Sequence, residues 1–303
     1  MMKKQVSSFL FLALVLTNFC FGDIHIDGYS DATNDRFTNS GSFIMSSYNL
    51  SGIGQVSSAS GQGRWATLVA PNIVLSAWHY PPPTNSSITF YLDNDPNSTP
   101  VVRTVTSNNV RVGATDLWIG VLNSAVTGAT YYNIADEALT GPPGGNAGNI
   151  VNAGSFQGVN AFMFGLSPKA NVAWRDQAVG RNRISGYWEN VGYLGTDDDT
   201  LILEYNQSSS PDYVPYESYL RVGDSGGPLF IDQGGSLVLM GTNAFVLTNT
   251  SGQTVASGVN YVGNQAAFIR NFIQVNGVPE PTAGLVLWAL AGVGLARMRR
   301  RCA

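Results

Sequence analysis

Residues 223–228 read Gly-Asp-Ser-Gly-Gly-Pro, and no other stretch limits the local backbone as tightly. Glycines beside Ser225 let the main chain take conformations closed to residues with a Cβ. The N–H groups of Gly223 and Ser225 can then converge on one point. A serine hydroxyl needs a neighbouring base before it can attack a carbonyl, and fixed donors to hold the oxyanion that results. This hexapeptide offers the second and asks for the first. The plain alternative is a Gly-rich turn in a β protein.

Only two histidines can serve as the base, His25 and His79. His79 follows two apolar runs separated by Pro71-Asn72, a pattern that predicts two strands and a tight turn with the imidazole just past the second strand. A base at the rim of a packed strand has the fixed position that proton transfer requires. His25 lies in a polar segment near the expected mature N-terminus and reads as incidental. The carboxylate that orients the imidazole is assigned to Asp116, which opens the apolar run Asp116-Leu-Trp-Ile-Gly-Val-Leu122 and would need a partner if buried. Asp93 and Asp95 sit in a turn-like polar cluster and are weaker candidates.

The order His79, Asp116, Ser225 resembles that of chymotrypsin/trypsin-like serine proteases rather than subtilisins or α/β-hydrolases. Leu75-Ser-Ala-Trp-His79, Thr115-Asp-Leu-Trp-Ile119 and Gly223–Pro228 are similar to that family's three catalytic segments. Leu239–Phe245, Ser257–Tyr261 and Phe268–Ile273 resemble its cleft strand, its Pro-Gly-Val-Tyr segment and its closing helix. The likeness spans about residues 37–275. It implies an all-β fold of two six-stranded antiparallel Greek-key barrels with a C-terminal helix. It also implies an oxyanion hole from the Gly223 and Ser225 N–H groups, and a primary pocket formed by Tyr219, Leu220, Val246 and Gly258. Substrates would be proteins or peptides, with no cofactor and no metal.

Some positions depart from the pattern. Ala244 stands where the family usually has a serine that supports the triad carboxylate, so that support is expected to be missing or supplied by water. Trp78 replaces a small residue beside the imidazole. Tyr219 occupies the pocket floor, where basic specificity would need an aspartate, so a non-basic, hydrophobic or partly filled pocket is expected. The family pairs the aspartate before its nucleophile, here Asp224, with a new N-terminal ammonium. Cleavage after Arg36 would expose Phe37, signal cleavage would leave Ile24 near the terminus, and an internal cation is the third option.

Short runs rich in β-branched residues between Gly, Asn, Ser and Thr clusters argue independently for an all-β chain. The expected layout is a secretory signal over 1–22, an N-terminal segment and candidate propeptide over 23–36, and a first barrel over 37–139. A linker over 140–149, a second barrel with its helix over 150–277 and a sorting signal over 278–303 follow. Lys3 and Lys4 precede the apolar run Phe9–Phe21, a secretory pattern. Phe19 before Cys20 argues against lipidation. Pro279-Glu-Pro281, the apolar run Thr282–Ala296 and four arginines up to Arg301 resemble a PEP-CTERM sorting signal. That likeness implies signal peptidase and an exosortase-type enzyme as processing partners, transient inner-membrane association, and delivery to the cell surface or beyond. Loss of Lys3, Lys4, Glu280 and those arginines leaves 10 basic against 19 acidic residues, net −9. Such acidity opposes nucleic-acid binding. Asp197-Asp-Asp199 reads as a solvated acidic loop ahead of a calcium site.

These residues predict a secreted serine endopeptidase. Two alternatives remain open: an impaired homologue acting as a surface or matrix binding protein, and an esterase using the same triad.

Overall fold

The computed structural model describes residues 23–56, 63–142, 150–169, 175–192 and 195–278. The expected signal (1–22), most of the expected linker, and the sorting signal from Pro279 through Glu280 and Pro281 to the C-terminus lie outside these residues. The strands are β1 (His25–Ile26), β2 (Ile53–Val56), β3 (Trp65–Ala70), β4 (Ile73–Ala77), β5 (Ser87–Phe90) and β6 (Val101–Arg111). Next come β7 (Leu117–Leu122), β8 (Asn133–Ile134), β9 (Asn160–Gly165), β10 (Ala178–Arg183) and β11 (Gly186–Val191). The last five are β12 (Asp198–Glu204), β13 (Ser218–Tyr219), β14 (Pro228–Gln233), β15 (Ser236–Thr248) and β16 (Thr254–Tyr261). A one-turn helix, α1 (Asp31–Asn34), and a C-terminal helix, α2 (Ala266–Asn276), complete the set.

Strands β2 to β7 close into a barrel in the order β2-β3-β4-β7-β6-β5. β7 returns to pair with β4, which is a Greek-key connection. Period-2 alternation explains why its strands are buried on both faces. On β3, Ala66 and Leu68 join the cluster inside the barrel, whereas Trp65 and Val69 join the main core outside it. β7 divides likewise, with Trp118 and Leu122 inside and Leu117, Ile119 and Val121 outside. A Cβ on Gly120 would stand 2.2 Å from the Trp118 indole, so glycine is what lets that ring fold back inside the barrel. Burial of such a ring stabilises by roughly 2–3 kcal/mol.

The second half is an eight-stranded sheet in which β10-β9-β14-β15-β16-β12-β11 run in sequence, and β8 pairs parallel with β15. It therefore exceeds the six strands expected, and β8 reaches it from the expected first-barrel segment. The helix buries Ala266, Ile269 and Phe272, at one-turn spacing, and ends where the Gly277 N–H donates to the Ile273 carbonyl at 2.7 Å. The adjoining Val278 N–H donates to Asn72 Oδ1 at 2.9 Å, tying this end to the β3–β4 turn. Among the described residues no helix is long and apolar enough to cross a membrane; the apolar run Thr282–Ala296 is not among them.

The segment over 23–36, read as a candidate propeptide, is packed into the fold. β1 pairs with β13, setting His25 opposite Tyr219, and Asp35 bridges to Ala178. Arg36 is 1% exposed. Its guanidinium donates to the Ile53 and Tyr91 carbonyls of the first half and to Gln177 Oε1 of the second. Burial draws its pKa down to about 10. The Arg36 side chain thus joins the two halves.

Candidate active site

β4 and β7 are antiparallel neighbours, with Ala77 opposite Leu117. His79 lies two residues past the end of one and Asp116 one residue before the start of the other, so strand pairing alone brings them together. The Trp78 N–H donates to the Asp116 carbonyl at 2.6 Å, and the His79 N–H donates to Asp116 Oδ1 at 2.7 Å. Asp116 Oδ2 then meets His79 Nδ1 at 2.6 Å. The Asp116 side chain is fully buried and that of His79 is 16% exposed. The Trp78 side chain faces outward, 40% exposed, so the bulk that departs from the family pattern is directed away from the protein interior.

Ser225 arrives from the other half, on the turn between β13 and β14. Its Oγ lies 2.8 Å from His79 Nε2, so the imidazole bridges alcohol and carboxylate. Gly226 sets this approach. Its φ is +83°, and a Cβ there would lie 2.5 Å from Ser76 Oγ on β4. Asn243 of β15 braces the turn: its Nδ2 donates to the Phe164 carbonyl at 2.6 Å and the Asp224 carbonyl at 3.0 Å, and its carbonyl accepts the Gly226 N–H. Gly223 has φ +111°. Neither its N–H nor that of Ser225 donates to a backbone acceptor among the described residues.

Two supports for Asp116 went unread in the sequence. Asn260 Nδ2 on β16 donates to Asp116 Oδ2 at 3.0 Å. This corrects the expectation of a missing or water-borne support at Ala244: the donor has moved one strand over. Asp198, at the start of β12, accepts the Asp116 N–H through Oδ1 and the Thr196 hydroxyl through Oδ2. It is fully buried, and loss of solvent pushes its pKa up to about 7. The solvated-loop reading of Asp197-Asp-Asp199 is therefore corrected at its central residue. Asp197 is exposed and Asp198 buried, a strand-like alternation. Asp199 Oδ2 accepts from Asn264 Nδ2 at 2.8 Å. Among the described residues no group of three metal-ligating side chains occurs.

Asp224 is also fully buried. No cation among the described residues meets its carboxylate, which accepts the Leu166 and Arg221 N–H groups, each at 2.7 Å. Burial pushes its pKa well up, with Asp23 and Asp176 adding repulsion. Ile24 packs next to it: a Cβ on Gly165 would lie 2.6 Å from both Asp224 Oδ1 and Ile24 Cβ.

A cavity of about 770 Å³ opens beside the Ser225 turn, between residues 219–222 and the β15–β16 hairpin. Tyr219, Leu220 and Val246 line it as expected of the primary pocket; Gly258 does not. A Cβ on Gly258 would lie 2.4 Å from the Phe245 ring, so this glycine makes room for an aromatic side chain rather than for substrate. The hydrophobic character expected of the pocket is also diluted. Gln207, Asn249, Gln253 and Arg221 share its wall with Val222 and Val255. Below it, Tyr219 stacks on His25 with ring centroids 4.4 Å apart, and Tyr205 meets Tyr219 edge-on at 4.8 Å. His25, read as incidental, thus backs the pocket floor.

No protein-family model and no curated protein matches the chain. Among solved structures, a mutant of human heparin binding protein is similar at 13% identity, over 77% of this chain and 95% of that one, with a TM-score of 0.49. So distant a likeness assigns no residue a role, and the reading of the site rests on its own geometry.

Proposed function

We propose that the protein is a secreted serine endopeptidase. The observation that carries this reading is the imidazole of His79 set 2.8 Å from the Ser225 hydroxyl and 2.6 Å from the Asp116 carboxylate. His79 Nε2 takes the Ser225 proton as Oγ attacks the scissile carbonyl. Asp116 holds Nδ1–H toward itself and stabilises the imidazolium. The Gly223 and Ser225 N–H groups receive the oxyanion, where losing one donor would cost about 3 kcal/mol of barrier stabilisation. His79 returns the proton to the leaving amine, and water then attacks the acyl-enzyme with His79 again as base. No cofactor enters these steps. Asn260 at Asp116 weakens the case for an impaired scaffold, because the carboxylate's support is present in another form.

Export through the N-terminal signal, exosortase-type processing near Glu280 and release at the cell surface belong to the same proposal. So does a non-basic primary specificity. Replacing Ser225 with alanine should lower peptide turnover by up to about a millionfold while leaving the thermal unfolding transition in place. Equal hydrolysis by variant and parent would end this reading. Matched amide and ester substrates would distinguish a peptidase from an esterase.

A further inference from the structure

The wall of the cavity beside Ser225 carries a single charged side chain among the residues that line it, and that residue is a cation, Arg221. We infer that Arg221 selects substrates with an acidic side chain, glutamate foremost, on the acyl side of the cleaved bond. The inference rests on the endopeptidase reading and deepens it.

Arg221 lies four residues before Ser225 and two before Gly223, so the turn that delivers the oxyanion donors also delivers this charge. Its guanidinium carbon stands 5.8 Å from the centroid of the Tyr219 ring, which places the cation over the pocket floor. No ion pair to Arg221 occurs among the described residues. Asp23 feels its charge only at longer range. Asp27 and Glu217, on the side of the floor away from the cavity, are occupied elsewhere. Asp27 accepts from the Tyr205 hydroxyl at 2.7 Å, and Glu217 accepts the Val214 and Asn206 N–H groups at 3.0 Å each. Neither lines the cavity.

A guanidinium presents a planar fork of donors that matches a carboxylate. Gln207, Asn249 and Gln253 add amide donors with no negative charge. A bound lysine or arginine would instead face a like charge across an apolar and amide wall, at a cost in specificity. A large apolar side chain would have to displace water from these amides without replacing their hydrogen bonds.

The test measures binding by calorimetry on the full chain carrying Ser225→Ala, so that it does not depend on turnover. The ligands are acyl peptides identical except for a C-terminal-side glutamate, glutamine, phenylalanine or lysine at the residue that enters the pocket. Glutamate should bind roughly tenfold more tightly than glutamine, and lysine should bind most weakly. The glutamate preference should shrink as salt is raised, because Arg221 is exposed and screened. Adding Arg221→Gln should bring the glutamate-to-glutamine ratio to about one, and Arg221→Glu should favour lysine. A ratio unchanged by Arg221→Gln, a preference for phenylalanine or lysine in the parent, or no binding of any of the four would overturn the assignment. Reaction of the unmodified protein with a fluorophosphonate tests the endopeptidase reading separately, since that label reports the nucleophile and not the pocket.

Discussion

The two halves of this protein hold their candidate catalytic groups by different means. In the first, His79 and Asp116 sit at the ends of paired strands, β4 and β7, and backbone hydrogen bonds of the ladder carry them into contact. In the second, Ser225 rides on a turn whose shape depends on its own Asp224, on Asn243 of β15 and, across the interface, on Ser76 of β4. The first arrangement is secured by local pairing and a closed barrel. The second is secured by buried polar groups, each of which is costly if left unpaired. The nucleophile side should therefore be the more fragile.

Gly226→Ala breaks the comparison at its weakest point. The new methyl would strain a backbone at φ +83° and press on Ser76, separating Ser225 from His79. Peptide turnover should fall about a hundredfold, as an ångström-scale misplacement does, and stability should fall by about 1–3 kcal/mol. Substituting the barrel-side Trp78 with alanine should cost far less turnover, because its side chain points outward. Steady-state kinetics and thermal melts on both variants would show whether the asymmetry holds.

Asn260→Ala removes the donor that reaches Asp116 from the second half. About a tenfold loss in kcat is expected, with KM little changed, since Asn260 positions the carboxylate and does not line the pocket. An unchanged kcat would mean that Asp116 is held from the barrel side alone.

The smallest effect is a dependence of stability on pH. Asp198 and Asp176 are each pushed up to about 7, chiefly by burial. A carboxylate whose folded pKa exceeds its unfolded value near 3.8 binds its proton more tightly when folded. Its stabilising contribution is complete below about pH 4 and is lost as pH rises through 7. For Asp198→Asn, the advantage of the parent in Tm should be greatest near pH 4 and should shrink as pH rises to 7. A parent-to-variant difference that stays constant across that window would contradict the assignment.

The same asymmetry explains what was legible in the sequence. Pro71-Asn72 between two apolar runs gave away the β3–β4 hairpin, and the apolar run after Asp116 gave away β7, because period and turn chemistry are local signals. Gly223–Pro228 announced its serine for the same reason. Asn260 and Asp198 could not be read. Each is a common polar residue in a strand or an acidic stretch, and its partner lies 144 or 82 residues away. The alternation of Thr196, Asp198 and Thr200 at every second position was the one available hint that Asp198 faces inward. The role of residues 23–36 was hidden likewise. Nothing near Arg36 shows that its guanidinium ends among carbonyls of the first half and Gln177 of the second.

Whether the halves truly converge on a working nucleophile is tested most directly by labelling with a fluorophosphonate and locating the adduct by mass spectrometry, on the parent and on His79→Ala. The geometry predicts one adduct per chain, on Ser225, in the parent and almost none in the variant. No adduct in the parent, or equal labelling when the imidazole is gone, would contradict it.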